Sequence, residues 1–577
     1  MHRLILANFS SLKLQVTNER VAILAVTGLL LLMAVNLFAA LLQKELTNDE
    51  VIFIPAGYYH LRDGNFQFNN EHPPLAKIWA ALPFLFVKPI RPPSPITQRE
   101  VVAEAVWNFH ARFWHANKNR FQVISFLPRA IMILVPLVLG WLIFVYARML
   151  FDSKAAILAV AIYTLEPTFL AHGRTAYNDV AAALAYLAFF VVVTKYWQRP
   201  TYSGAALVGA TLGTALLTKF SLIILVPLVF CLIGIASIKR KEWGWELHTI
   251  IKGGAISLVA AVFVINAGYF FQSPGLSEAD LQRLLTKSPT YFESIRGALA
   301  LGSYIFPTYF LVGLFHVLVH NQYGHPASLL GMHSLNGWWY YFPVAFALKT
   351  TLPHLLISTV ALGWSCYRAV YKRDMRFLAL LVPFVIYAAG CMFSRMNIGI
   401  RHLLPALPFL FILGGALGAR LLKVHKLGPA ISVAGVVLFG WMAVDTFRAY
   451  PHYMSYMNQL TLRERPWSYL SDSNIEYGDD VAALARYLRG KGETQVRAAL
   501  LGGWATLPMH GVEYVDFVVP AGTSIRPTRY VALGASFLNG SSVPSVLRGG
   551  STELFASYRD QKPEAIFGNS IFLYKEN

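Results

Sequence analysis

The sequence predicts a polytopic α-helical membrane protein with a small soluble α/β domain at its C-terminal end. Hydrophobic residues make up 56% of the 577-residue chain and charged residues only 14%, whereas an ordinary soluble domain is about 25% charged. Apolar runs of the length that a helix needs to cross a bilayer recur through positions 1–447. Residues 448–577 are richer in Gly, Ser, Asp and Arg, which indicates a separate polar domain.

About eleven apolar runs are candidate transmembrane helices. The first is expected to stay in the mature chain, because no small-residue cleavage site follows close behind it. An odd number of spans places the two termini on opposite sides of the membrane. The candidate spans are 21–43, 124–147, 154–172, 179–196, 202–218, 220–238, 250–270, 340–363, 377–394, 402–419 and 428–447.

The basic residues predict the orientation of these spans. They gather in short alternate connections, such as 239–241 and 368–376, and short basic connections face the cytoplasm. The N-terminus is therefore expected in the cytoplasm of a cell whose cytoplasmic (inner) membrane the chain spans, and the C-terminal domain outside it, in the periplasm or its equivalent. The same pattern explains the net charge of +19, so we predict the lipid bilayer, and no nucleic acid, as a partner.

The outer side is predicted to carry two long loops, 44–123 and 271–339, and the C-terminal domain. Both loops exceed what joining two helices requires, which is typical of functional segments. In the domain, alternating runs such as "QVRAALL" and "YVDFVVP" and the amphipathic stretch "DDVAALARYLRG" indicate an α/β fold. The three cysteines lie in or beside apolar runs, so neither a disulfide framework nor a metal site is predicted.

Ionisable residues from distant parts of the chain share the predicted outer surface. Charged groups at the bilayer boundary are costly and commonly functional, although a single Lys or Arg there is also explained by snorkelling. Their location on one side of the membrane favours a common site. These residues are Asp49 and Glu50 after the first span, Asp179 at the start of the fourth, Lys219 between the fifth and sixth, and Arg401 and His402 at the tenth.

The acidic pair Asp49 and Glu50 has two interpretations. Adjacent helical residues point about 100° apart, so one carboxylate can meet a substrate while the other contacts a neighbouring helix. Alternatively, "TNDE" caps a short helix at the interface. The two prolines of "NNEHPPLAK" make a rigid turn that is expected to hold His72 and Lys77 near the acidic pair.

Further cations accompany these carboxylates on the outer side. "AHGRTAYNDVAA" places Arg174 and Asp179 across one tight turn, where they either pair with each other or serve a ligand. Arg401 and His402 lead a span on the outer face, against the positive-inside trend, which indicates a local anionic partner such as a phosphate. A carboxylate base among phosphate-binding cations suits transfer of a group from a lipid-linked phosphate.

These segments resemble the membrane glycosyltransferases of the GT-C class, family 39, which groups protein O-mannosyltransferases with aminoarabinose transferases. The matching segments run in the family's order from about Asn48 to about Leu488, and the tail 489–577 has no match. They are "NDE", "EHPPLAK", "HGRTAYNDVAAA", "LTKFS", "GWWYYFPVAFALKT", "NIGIRHLLPALPF" and "PHYMSYMNQL" with "SDSNIEYGDDVAALARYL".

The resemblance implies a GT-C fold and an inverting transfer of a sugar, mannose or a related hexose or pentose, from a polyprenyl-phosphate donor to a hydroxyl of a protein or glycolipid. It implies Asp49 as the base, Glu50 in support, Asp179 as the second acidic position, and Lys77 or His72 at the donor phosphate. On physical grounds we add phosphate contacts by the basic residues Arg174, Lys219, Arg401 and His402. The family needs no obligatory metal or other cofactor.

Two departures from the family bear on these expectations. Many bacterial relatives read DSN-x-D-W-G-Q-D where this chain has "SDSNIEYGDD", so Glu476, Tyr477 and Asp479 are substitutions that leave the role of this segment open. The sugar-binding repeats of eukaryotic protein O-mannosyltransferases also have no counterpart, so a protein acceptor does not follow. Two other hypotheses remain: a transporter or flippase that uses the same charges as a pathway, and a non-catalytic scaffold whose outer domain binds partners.

Overall fold

A helical membrane region is followed by a domain built on a five-stranded sheet, which confirms the predicted fold class. The last long helix, Gly428–Ala449, ends close to the predicted start of the C-terminal domain. The computed structural model describes residues 2–92, 103–243, 246–272, 288–424, 428–461, 465–517, 527–543 and 551–576.

The chain is a multi-span membrane protein, and ten of the eleven predicted spans coincide with apolar helices; the remaining one, 340–363, falls on the helices Tyr341–Lys349 and Leu352–Val370. Within the described residues, three apolar helices are shorter than a full span: Ser153–Thr164, Tyr202–Thr218 and Leu407–Leu421. Seven are long and apolar enough to cross a membrane by themselves: Glu19–Leu41, Lys118–Leu150, Asp179–Gln198, Phe220–Ile238, Leu247–Gly268, Met375–Met392 and Pro429–Ala449.

Several predicted spans are interrupted. The span 154–172 divides before Pro167, and the span 340–363 divides before Pro353, because proline cannot donate the backbone bond that a continuing helix needs. The helix expected from 402 begins only at Leu407, after a 3-10 turn at Ile400–Leu403. These interruptions place polar backbone and charged side chains at the outer ends of the bundle.

Both predicted outer loops contain helices. The first holds Glu50–Asp63, Leu75–Ala81, Phe84–Val87 and Ala103–Ala116; the second holds Pro289–Gly302 and Thr308–Tyr323, then a hairpin of strands β1 (Ala327–Leu329) and β2 (Met332–Ser334). The remaining helices of the membrane region are His2–Leu41, Phe121–Met132, Leu134–Leu150, Pro167–His172, Leu225–Trp243, Tyr341–Lys349, Leu352–Val370 and Gly428–Ala449.

Small residues let the helices of the bundle approach closely. A Cβ placed on Gly209 would lie 2.0 Å from the Ser257 carbonyl oxygen, and one on Gly415 would lie 2.3 Å from that of Ala155. Close backbone approach through small residues is the usual way in which membrane helices pack, because lipid supplies no hydrophobic drive for their association.

The C-terminal domain is a mixed sheet with strand order β4-β3-β5-β7-β6. Strand β3 pairs in parallel with β4 and β5, while β7 pairs antiparallel with β5 and β6. The amphipathic helix Val481–Gly490 buries Leu484 and Leu488 against the sheet. The strands are β3 (Gln495–Ala499), β4 (Glu513–Asp516), β5 (Tyr530–Gly534), β6 (Ala565–Phe567) and β7 (Ile571–Lys575), and the short helices are Gly503–Thr506, Ala535–Leu538 and Ala556–Arg559.

Candidate active site

A cavity of about 890 Å³ lies between one end of the helical bundle and the C-terminal domain. Cavities of this size hold drug-sized ligands. Six of the nine residues predicted for the site line it, although they come from five separate parts of the sequence. They are Asp49, His72, Asp179, Lys219, Arg401 and His402.

Asp49 is the carboxylate at the centre of the site. It precedes the helix Glu50–Asp63, and its side chain is 24% exposed. Its Oδ2 accepts a hydrogen bond from Arg401 Nη1 at 2.8 Å and another from the Tyr477 hydroxyl. Burial acts to raise the pKa of the Asp49 carboxyl, but Arg401 and Tyr477 outweigh it and hold that pKa below its ordinary value.

Glu50 points away from the cavity and is fully buried. Its Oε2 accepts hydrogen bonds from the backbone N–H and the hydroxyl of Thr47, at 2.8 and 2.9 Å, and its Oε1 accepts one from the backbone N–H of Ala176. Burial raises the pKa of this carboxyl. Glu50 therefore links the turn before Asp49 to the turn before Asp179. It supports the site without lining the cavity.

Asp179 and Lys219 form a buried ion pair beside Asp49. Lys219 Nζ lies 2.5 Å from Asp179 Oδ1, and Arg401 Nη1 lies 3.7 Å from Asp179 Oδ2. Lys219 occupies the extended break between the helix Tyr202–Thr218 and the next 3-10 turn, which directs it to the outer end of the bundle. Arg401 thus bridges two carboxylates, and two cations face the same cavity.

Two of the predicted site residues that line the cavity are histidines. His72 Nε2 lies 2.7 Å from the Tyr177 hydroxyl, while His402 Nε2 is buried without a hydrogen-bond partner among the described residues. Burial, and secondarily the charge of Lys77, lowers the pKa of His72 to about 4. His72 is therefore neutral at pH 7 and can accept or donate one hydrogen bond to a ligand.

Lys77 and Arg174 do not line the cavity, contrary to the predicted phosphate contacts. Lys77 Nζ is buried and donates to the carbonyl oxygens of Asn69 and His72, each at 2.7 Å, which closes the turn before the two prolines. Arg174 is buried against Asp479. The side chains of both cations point into the protein and not into the cavity.

A segment of the C-terminal domain enters the site. The backbone N–H of Asn48 donates to the carbonyl oxygen of Tyr477 at 2.7 Å, and the backbone N–H of Glu45 donates to the carbonyl oxygen of Asp479 at 2.9 Å. The segment 477–479 therefore lies along residues 45–48, directly before Asp49. The Arg401 guanidinium stacks over the Tyr477 ring at 4.7 Å and donates to its hydroxyl.

Tyr477 and Asp472 were not predicted as site residues, and both line the cavity. The position of both in the family-like segment "SDSNIEYGDD" was the available signal for their role. Within the described residues, no group of three or more His, Cys, Asp or Glu side chains is arranged to hold a metal ion.

The fold and cavity together define a polytopic membrane protein with a ligand-sized, charged cavity at one end of its helical bundle. Residues 121–265 match the family model described as dolichyl-phosphate-mannose-protein mannosyltransferase, over about a quarter of the chain. This match confirms the predicted resemblance, over the segment that it covers. No curated protein matches the chain.

Solved structures of two membrane transferases are similar at low identity. ArnT from Cupriavidus metallidurans bound to undecaprenyl phosphate is 14% identical with a TM-score of 0.46, over 95% of this chain and 97% of that one. The oligosaccharyltransferase of Archaeoglobus fulgidus in complex with Zn and sulfate is 10% identical with a TM-score of 0.45, over 90% and 69%. TM-scores below 0.5 do not establish a shared fold.

Proposed function

We propose that the protein is an inverting glycosyltransferase that moves a sugar from a polyprenyl-phosphate donor to a hydroxyl acceptor at the outer face of the cytoplasmic membrane. The observation that carries this proposal is the placing of one carboxylate, Asp49, beside two cations, Arg401 and Lys219, in a single cavity. The sugar is mannose or a related hexose or pentose, and the acceptor hydroxyl belongs to a protein or a glycolipid. The matched family model, named for a dolichyl-phosphate donor, supports this reaction class.

The lining of the cavity suits a lipid-linked phosphate. Lys219 and Arg401 supply positive charge for the phosphate, and His72 and His402 supply hydrogen bonds. Next to them the wall becomes apolar along Ile224, Val317 and neighbouring side chains of the bundle. An isoprenoid chain placed along this apolar wall would keep its phosphate beside the cations, so one ligand satisfies both parts of the cavity.

The proposed chemistry uses Asp49 as the general base. The carboxylate takes the proton of the acceptor hydroxyl while that oxygen attacks the anomeric carbon from the side opposite the phosphate. The bond between the anomeric carbon and the phosphate oxygen breaks, and the phosphate leaves with the electron pair. Arg401 and Lys219 stabilise the negative charge that develops on the phosphate. Attack opposite the leaving group inverts the configuration.

Comparison of envelope glycans in cells with and without this protein tests the proposal and identifies the sugar. Mass spectrometry of glycolipids and secreted proteins should show loss of one sugar in the deletion strain, restored by the wild-type gene and not by Asp49→Asn. The matched control, Asp63→Asn, changes an exposed carboxylate at the other end of the same helix and should restore the sugar. An unchanged glycan profile in the deletion strain would count against the proposal.

A further inference from the structure

We propose that the acceptor is an uncharged saccharide that binds at the carboxyl edge of the C-terminal sheet, in the part of the cavity lined by Asp472, Gly502, Trp504, Tyr514 and Asp516. We refer to these five residues as the sheet-edge subsite. This inference rests on the proposed function and deepens it, because it names the class of the acceptor.

The sheet-edge subsite lies where parallel strands usually bind ligands. Strand β3 lies between β4 and β5, and the chain continues from it to β4 on one side and then to β5 on the other. Ligands of open α/β sheets bind beyond the carboxyl ends of the strands, at the point where the strand order reverses. Gly502 and Trp504 follow β3 and Asp516 ends β4, and all three line the same cavity as Asp49.

The loop after β3 lies against the chain that carries the proposed base. Gly502 has a φ of +68°, and a Cβ placed on it would lie 3.0 Å from the Cα of Asn48, the residue before Asp49. Glu476 fixes this loop, since its Oε1 accepts from the N–H of Leu501 at 2.9 Å and its Oε2 from that of Ser536 at 2.8 Å. A compound held beyond β3 is therefore next to Asp49.

The side chains of the subsite match the surface of a sugar. Trp504 and Tyr514 are partly exposed aromatic residues, which can pack against the apolar C–H face of a pyranose ring. Asp472 and Asp516 supply carboxylate oxygens that accept hydrogen bonds from hydroxyls. Asp472 has a φ of +55°, unusual for a residue other than glycine, and its backbone N–H is held by the Ser536 hydroxyl at 2.7 Å.

The charge on this wall favours an uncharged acceptor. Among the cavity-lining residues that the structure describes beyond position 465, none is Lys, Arg or His, whereas two are carboxylates. A phosphorylated acceptor would meet the carboxylates of Asp472 and Asp516 there. The cations Lys219 and Arg401 belong to the membrane region, and Arg401, together with His325, acts on the Asp472 carboxyl.

Binding of defined probes to the full-length protein in lipid nanodiscs tests this inference. We expect a neutral mannotriose to bind wild type, and to bind Asp516→Asn and Trp504→Ala at least tenfold more weakly, as measured by calorimetry. Trp504→Phe, which keeps an aromatic face, should retain binding. Asp560→Asn, which changes an exposed carboxylate elsewhere in the same domain, is the matched control and should bind as wild type does.

Undecaprenyl phosphate, titrated in parallel, separates the two proposals and reports on folding. It should bind wild type and all four variants alike, because none of the changed residues lies at the cations. The inference is overturned if wild type binds undecaprenyl phosphate but not mannotriose, if Asp516→Asn binds mannotriose unchanged, or if a Ser/Thr hexapeptide or a phosphorylated disaccharide binds in its place. Failure of wild type to bind undecaprenyl phosphate would instead contradict the proposed function.

Discussion

The Tyr477 hydroxyl donates a hydrogen bond to the Asp49 carboxylate, although the two residues lie 428 positions apart in the chain. Arg401 donates to both of them, so the three side chains form a closed set of contacts. The proposed base is therefore held by a residue of the C-terminal domain as well as by the membrane region. This arrangement makes the C-terminal domain part of the proposed catalytic unit.

Removing the Tyr477 hydroxyl should weaken catalysis and change its pH dependence. Tyr477→Phe takes away a hydrogen bond that lowers the pKa of Asp49, so that pKa should rise. The base works ionised, and activity is lost as the pH falls through its pKa, so the acid limb of the kcat profile should move to higher pH. A hydrogen bond to a charged group is worth about 1.5–3 kcal/mol, or roughly a tenfold or greater loss of rate.

The control for this variant is Tyr487→Phe, which removes an exposed hydroxyl that contacts Glu564 in the same domain. Its rate and pH profile should equal those of wild type. An unshifted acid limb in Tyr477→Phe would show that this hydroxyl does not act through Asp49.

Arg401 should be the most sensitive cation of the site. Arg401→Ala leaves the partly exposed carboxylate of Asp49 and the buried carboxylate of Asp179 without their shared partner, and breaking a buried pair costs about 3–5 kcal/mol. Thermal unfolding in detergent should show a markedly lower melting temperature, and activity should be lost. Arg395→Ala, which removes an exposed arginine bonded to a carbonyl oxygen on the same outer side, should leave both unchanged.

Lys77 and Lys219 should behave differently, because one is behind the cavity wall and the other lines it. Lys219→Met should weaken binding of undecaprenyl phosphate by about tenfold or more, through loss of a charge-assisted contact. Lys77→Met should lower the free energy of unfolding by about 1–3 kcal/mol, since two buried carbonyl oxygens lose their donor. Surviving folded Lys77→Met protein should bind the lipid nearly as wild type does; equal losses of affinity in both variants would contradict this distinction.

Glu476 should make the stability of the C-terminal domain depend on pH. Burial raises the pKa of its carboxyl to about 7, above its ordinary value of 4.5, despite hydrogen bonds from Leu501 and Ser536. The folded state therefore binds the proton more tightly than the unfolded state, and this contribution to stability is present below pH 4.5 and is lost as the pH rises towards 7. The resulting decrease in the free energy of unfolding should be about 3 kcal/mol at most.

Comparison of wild type with Glu476→Gln isolates this effect, because the other titrating groups are the same. Unfolding measured at pH 5 and pH 7.5 should show a larger decrease for wild type than for the variant. Parallel pH dependence in the two proteins would assign the effect to other groups.

Hydropathy predicted the membrane region well, because the length of an apolar run is a local property of the chain. A hydropathy count does not detect the helix breaks before Pro167 and Pro353, because these breaks result from the backbone hydrogen bond that proline cannot donate. The predicted topology placed Lys77 in the same loop as Asp49, but the direction of the Lys77 side chain is decided by the turn at 69–72, which is a matter of packing.

The contact between Tyr477 and Asp49 could not be predicted from either local sequence segment. It depends on how the C-terminal domain docks against the chain at 45–48, through backbone bonds between residues more than 400 positions apart. A motif in "SDSNIEYGDD" indicated that the segment has a role, yet nothing in that motif alone names its partner. The assembly of the sheet-edge subsite from Asp472, the loop after β3 and strand β4 was likewise visible only in three dimensions.

Transfer of a radiolabelled sugar from a polyprenyl-phosphate hexose by the purified protein in nanodiscs is the most direct test of Asp49 as the base. With an envelope extract as acceptor source, we expect wild type and Asp63→Asn to form product, and Asp49→Asn to lose the reaction by a factor of about 10² or more while still binding undecaprenyl phosphate. Undiminished transfer by Asp49→Asn, or movement of the lipid-linked sugar across the bilayer without any new glycosidic bond, would contradict the account.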